Sequence, residues 1–128
     1  MKNLEISATF NTPAVKLDAG SGYLLFVGRS IPEDPDNFFE NILDWIERYF
    51  EETSMDTEVE FRLEYVNSGS SKYILELLRR LHKKAEAGKV IRIIWCFETD
   101  DESIEDLGEH YKNTIDLPFE IREIDEIL

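Results

Sequence analysis

Three hydroxyls, Ser68, Ser70 and Ser71, crowd the stretch Asn67-Ser68-Gly69-Ser70-Ser71-Lys72. They are the side chains in this sequence best placed to do chemistry. An alternating apolar run, Val59, Phe61, Leu63 and Tyr65, closes just before them, and a helical one, Ile74, Leu75, Leu77, Leu78 and Leu81, opens just after. The hydroxyls therefore sit at a strand-to-helix junction. The first turn of a helix presents N–H groups with no intrahelical partner and a partial positive charge. A phosphate or carboxylate fits there. Two accounts stand side by side: a serine that only caps the helix, as Ser, Thr, Asp and Asn commonly do, or a hydroxyl that accepts a phosphoryl group.

The other reactive side chains form no comparable set. His82 and His110 fall in separate predicted helices, at no metal-ligand spacing with each other or with Cys96. Cys96 lies in the apolar run Val90 to Phe97 and reads as a buried, inert thiol. No Gly-x-Gly-x-x-Gly or Walker-type loop is present, and Gly20-Ser21-Gly22 reads as a hairpin turn, so no nucleotide cofactor is expected. The acids Asp100, Asp101, Glu102, Glu105, Asp106 and Glu109 offer oxygens to a hard cation, which makes a metal-dependent enzyme the alternative reading. They lack the alternating Asp/Asn and glycine of a calcium loop, and acids at a helix start also answer the dipole.

Bulk composition narrows the partners. Twenty-eight acidic against 14 basic residues leave a net charge of −14, which argues against nucleic acid and against an anionic membrane surface. The same excess suits a partner with a basic face, although it also serves solubility alone. A hydrophobic share of 42% over 128 residues is enough for one globular domain, expected to span 1–128. The start Met1-Lys2-Asn3-Leu4-Glu5 has no signal-peptide core, so a cytoplasmic location is expected.

The elements that must position the junction follow from pattern. Leu4 to Ala8 reads as a weak strand or arm, and Ala14 to Asp18 pairs with Tyr23 to Gly28 as an antiparallel hairpin. Arg29 to Pro35, with two prolines, reads as a surface loop. From about Asp36, Phe38, Phe39, Ile42, Leu43, Trp45, Ile46, Tyr49 and Phe50 recur at helical spacing, with Asp34 or Asp36 as cap. A strand over Thr57 to Val66 places Glu58, Glu60, Arg62 and Glu64 opposite Val59, Phe61, Leu63 and Tyr65. A helix over Ser70 to Ala87 ends at Gly88 and gathers Arg79, Arg80, Lys83 and Lys84 in its later half, as a helix C-terminus favours. Val90 to Phe97 reads as a central strand covered on both sides, Asp101 to Asn113 as a third helix and Phe119 to Ile124 as a last strand. Strand-helix-strand units of this kind predict an α/β fold: a mixed sheet with an N-terminal hairpin, parallel β-α-β units and about three helices.

Taken in order, Thr12-Pro13-Ala14-Val15, Gly28-Arg29-Ser30-Ile31-Pro32-Glu33, Phe38-Phe39 with Asp44-Trp45, Tyr65 to Lys72, Trp95 with Asp100-Asp101-Glu102, and Pro118-Phe119 resemble the successive blocks of the SiaC family of bacterial regulatory phosphoproteins. The resemblance spans nearly the whole chain. It implies a compact fold similar to anti-sigma-factor antagonist (STAS) domains and a non-enzymatic switch. It further implies phosphorylation by a serine/threonine kinase, removal by a PP2C-type phosphatase, and binding and activation of a diguanylate cyclase by the unphosphorylated form, which promotes cyclic-di-GMP synthesis and biofilm formation.

Carried over by position, the acceptor falls on Ser68, flanked by Asn67 and Lys72. The family's next residue is serine where this chain has Gly69, so Ser70 and Ser71 compete for the role. Ser30, Pro32 and Glu33 form a second block of the implied contact surface, with Ile31 in place of the usual tyrosine.

Overall fold

The computed structural model describes residues 1–127. Six strands and three helices follow in the order β1 (Leu4–Ile6), β2 (Ala14–Asp18), β3 (Tyr23–Ser30), α1 (Pro35–Glu52), β4 (Thr57–Val66), α2 (Ser68–Glu86), β5 (Ile91–Glu98), α3 (Glu102–Thr114) and β6 (Phe119–Ile124). The strands lie in one sheet in sequence order. Pairings β1–β2 and β2–β3 are antiparallel, and β3–β4, β4–β5 and β5–β6 are parallel. This is the mixed α/β sheet expected from the patterning, with each parallel crossover made by one helix.

The helices share one face of the sheet. Inward residues Leu24, Phe26, Val59, Phe61, Leu63, Ile93, Trp95 and Phe97 form one buried cluster with Ile42, Ile46 and Tyr49 of α1, Leu77, Leu78 and Leu81 of α2, and Ile104 and Tyr111 of α3. Period-two alternation on the strands and a 3.6-residue apolar stripe on the helices supply that cluster. Asp34 caps α1, its carboxylate accepting from Asn37 N at 3.2 Å, and Asp101 caps α3, accepting from Ile104 N at 3.1 Å. Gly88 follows α2 with φ +105°, the left-handed stop expected there.

Four expectations change. Strand β3 runs through Arg29 and Ser30, because pairing with Tyr65 and Val66 of β4 continues past Gly28; the loop begins only after them. Ser30 and Pro32 are buried within what reads as a surface loop. A register shift at Gly28/Arg29 leaves Glu64 unpaired and turns Tyr65, 61% exposed, away from the inner face it was expected to share with Leu63. Strand β5 has helices on one side only. On its other face Ile94 and Cys96 are buried instead by neighbouring side chains: Glu60 Oε2 lies 3.9 Å from Cys96 Sγ and 2.6 Å from Arg62 Nε, and Arg62 Nη1 reaches Ile127 O at 3.3 Å.

Candidate functional site

The junction between β4 and α2 is built by its cap. Asn67 has extended backbone, φ −84° and ψ 170°, and its Oδ1 accepts from Ser70 N at 2.8 Å while its carbonyl accepts from Ser71 N at 2.9 Å. The cap is thus Asn67 rather than a serine, and α2 begins at Ser68, two residues before the expected Ser70. Asn67 N in turn donates to Ser30 O at 3.1 Å, fixing the helix start to the end of β3. Among the described residues the N–H groups of Ser68 and Gly69 have no hydrogen-bond partner. That is the open donor pair a helix start offers to an anion.

The three hydroxyls are separated by their surroundings. Ser68 is exposed at the first helical position. Ser70 is 0% exposed and its Oγ hydrogen-bonds Ser30 Oγ, itself on a residue 1% exposed. Ser71 is half-buried; its Oγ is 2.8 Å from the Tyr111 hydroxyl, which also donates to Ser71 O at 2.9 Å. Burial pushes the Tyr111 phenol up to about 12, against a smaller opposing effect of the Ser71 hydrogen bond, so it stays protonated as a donor. Helical geometry gives the reason: Ser68 points outward, whereas Ser70 lies on the line of Ile74, Leu77 and Leu81 that faces the sheet.

The flanking residues fall around this opening. A Cβ on Gly69 would stand 3.2 Å from Pro35 Cγ, so the glycine lets the start of α1 pack against the junction. Lys72 is exposed one turn beyond Ser68, and Glu33 is exposed in the loop before α1, whereas Pro32 is buried beneath it. On the far side of the junction the Arg29 guanidinium lies 4.4 Å from the Phe10 ring centre and 5.4 Å from that of Tyr65. Phe10 is 74% exposed. A cleft of about 320 Å³ next to them is lined by Glu64, Tyr65, Val66, Asp101, Ser103, Ile104 and Leu107.

The remaining candidates are dispersed. Of the acids from Asp100 to Glu109, Asp101 caps α3 and Glu102 and Glu105 occupy its first turn. Among the described residues no three His, Cys, Asp or Glu side chains are grouped to hold a metal ion. His82 pairs with Glu86 at 3.7 Å, and His110 is exposed on α3. Sequence reasoning missed Tyr111 as the partner of Ser71, and the contact that closes Ser70 off. Each joins residues 40 positions apart, and no local pattern signals either.

Fold and junction together define a small mixed α/β protein that holds one hydroxyl open to solvent at a helix start. The sequence model of the SiaC family of regulatory phosphoproteins matches residues 6–124, and the chain belongs to that family. An uncharacterized protein of Pseudomonas aeruginosa (strain UCBPP-PA14) is 30% identical over 126 residues, covering 98% of this chain and 100% of that protein. The solved structure of SiaC of Pseudomonas aeruginosa superimposes with a TM-score of 0.91 at 28% identity, covering 97% of this chain and 100% of its own. A second structure, of diguanylate cyclase SiaD in complex with its activator SiaC from Pseudomonas aeruginosa, matches with a TM-score of 0.90 at 29% identity over 94% of this chain and 99% of that one. Among the described residues no helix is long and apolar enough to cross a membrane.

Proposed function

We propose that this chain is a non-enzymatic cytoplasmic switch: Ser68 is phosphorylated by a serine/threonine kinase and cleared by a PP2C-type phosphatase, and the unphosphorylated form binds and activates a diguanylate cyclase. The observation that carries the reading is the sorting of the hydroxyls, since Ser68 alone of the three is exposed. Family membership and the relative seen with a cyclase supply the class of output.

The physics of the switch is local. A phosphate adds roughly −1.5 to −2 charge and three acceptor oxygens. The domain tolerates it, because the Ser68 and Gly69 N–H groups are open and Lys72 lies one turn away. A partner docked over Ser68 does not, because the group brings a desolvation cost and repels nearby carboxylates. Modification therefore releases the partner while the fold persists. Phosphopeptide mapping of the protein from its native cell, with cyclic-di-GMP production measured for its cyclase plus wild type or Ser68→Asp, tests the reading. Phosphate on Ser68 and lost activation by Ser68→Asp are expected; no phosphate there under any growth condition, with activation unchanged, sinks it.

A further inference from the structure

Four cations stand close together late in α2, Arg79, Arg80, Lys83 and Lys84, and the fold divides them into two pairs. Arg80 and Lys84 turn toward α1: Lys84 Nζ lies 2.8 Å and Arg80 Nη1 3.7 Å from the Glu47 carboxylate, and Arg80 Nε meets Glu76 at 3.1 Å. Arg79 and Lys83 turn outward and are exposed, as is Lys72, and none of the three makes an ion pair among the described residues. In a chain with twice as many acids as bases, this is not for want of carboxylates.

Spacing puts the three cations in line with the junction. Positions 72, 79 and 83 follow Ser68 by close to whole helical turns, so all four share the side of α2 opposite Ile74, Leu77, Leu78 and Leu81. The row extends about 22 Å at 1.5 Å per residue; half-buried Leu75 lies along it, and exposed Glu86, in line just past Lys83 and 3.7 Å from His82, ends it. Toward α1 the charge reverses: Asp36, Glu40 and Asp44, all exposed, line a hollow with Tyr73 and Arg80 of α2.

We infer that this outward row of α2 is a docking ridge for an acidic face of a partner protein, with carboxylates seated along Lys72, Arg79 and Lys83. Charge complementarity selects the occupant. A narrow row of carboxylates meets the cations and clears the acidic α1 side, whereas a nucleic acid, broader than one helix ridge, brings its phosphates over those acids. The inference rests on the reading of Ser68 given above and adds the partner's chemistry to it. A phosphate on Ser68 draws Lys72, one turn on, out of the row and sets at its head a negative charge that repels the partner's carboxylates.

Backbone amide shifts of the protein are followed while adding an alanine-based helical peptide with glutamate along one face, its glutamine counterpart, or a short DNA duplex. The expected result is a salt-sensitive shift of amides along the α2 row with the glutamate peptide alone. The Lys72→Gln, Arg79→Gln, Lys83→Gln triple variant, whose changes are all on exposed side chains, should weaken that binding about tenfold or more. Shifts that are absent, lie elsewhere, or are equal with the glutamine peptide overturn the inference, as does tighter binding of the duplex on the same row. Phosphate mapping has no part in this readout. A flat titration thus removes the ridge without touching the assignment of Ser68, and an unmodified Ser68 removes the switch without touching the peptide shifts.

Discussion

The hydroxyls of Ser30 and Ser70 meet in a hydrogen bond closed to solvent, tying the end of β3 to the first turn of α2. Ser68, two residues earlier in the same turn, stands open. The same residue type therefore has two roles within a single turn, and substitution separates them.

Ser68→Ala is expected to abolish phosphate incorporation and to change stability by no more than about 0.5 kcal/mol, the usual range for an exposed side chain. Ser70→Ala is expected to keep the phosphate on Ser68 and lower stability by about 1–2 kcal/mol, because the buried Ser30 hydroxyl loses its partner. Mass spectrometry of phosphopeptides and urea unfolding of each variant read the two effects. Phosphate that persists in Ser68→Ala and disappears in Ser70→Ala would reverse the assignment.

Asn67 holds the helix start through one side-chain oxygen, accepting from Ser70 N at 2.8 Å. Asn67→Ala is expected to cost about 1 kcal/mol, whereas Asn67→Asp retains an acceptor at the same place and costs less. Hydrogen exchange localises the effect: the Ser70 amide should lose protection in Asn67→Ala before amides at the centre of α2. Uniform loss along the whole helix would mean that the cap does not secure the junction by itself.

Period and punctuation made most of this architecture legible in the sequence. The alternation from Thr57 to Leu63, the helical stripe from Phe38 to Phe50 and the stop at Gly88 each reappear where the pattern put them. What pattern did not carry is pairing between distant segments. Ser30 reads as loop because Pro32 and Pro35 follow it, and only pairing with β4 draws it into a strand. Tyr65 continues a clean alternation, and only the shift opposite Arg29 turns it outward. The site showed the same limit. The stretch from Asn67 to Lys72 was visible as a hydroxyl-rich helix start, yet the ranking of its serines came from Ser30 and Tyr111, each 40 residues away.

Tyr111 gives the fold a dependence on alkaline pH. An unfolded phenol loses its proton near pH 10, while in the folded protein burial holds Tyr111 to about 12. Between those values the folded state binds more protons than the unfolded one. The stability this contributes is complete below about pH 10 and is lost as pH rises toward 12, by up to about 1.4 kcal/mol per pH unit. Tyr23, also raised to about 12, by burial first and by Glu60 second, adds to the same window. Tyr111→Phe loses the Ser71 contacts and should cost about 1 kcal/mol near neutrality. Its stability should fall less steeply than wild type above pH 10, so the two unfolding curves converge. Parallel curves from about pH 9 to 11 would show that Tyr111 titrates alike in both states.

Gly108, in the middle of α3, sets two effects of known size against each other. Alanine there should gain about 1 kcal/mol in helix propensity. The added Cβ, however, would stand 2.3 Å from Trp95 Cδ1 and 2.6 Å from Nε1, inside any normal contact. The indole has little room to give way: it is 0% exposed, packs edge-on to Tyr111 with ring centres 5.4 Å apart, and donates from Nε1 to Ile104 O at 2.8 Å. Moving it trades overpacking of about 1–3 kcal/mol for a broken buried hydrogen bond of similar cost. Gly108→Ala is therefore expected to destabilise the protein by about 2 kcal/mol net of propensity and to shift the emission of Trp95. Denaturant unfolding followed by tryptophan fluorescence checks both. A more stable Gly108→Ala variant would mean that α3 slides over the indole at little cost and that Gly108 does not lock the helix to the sheet.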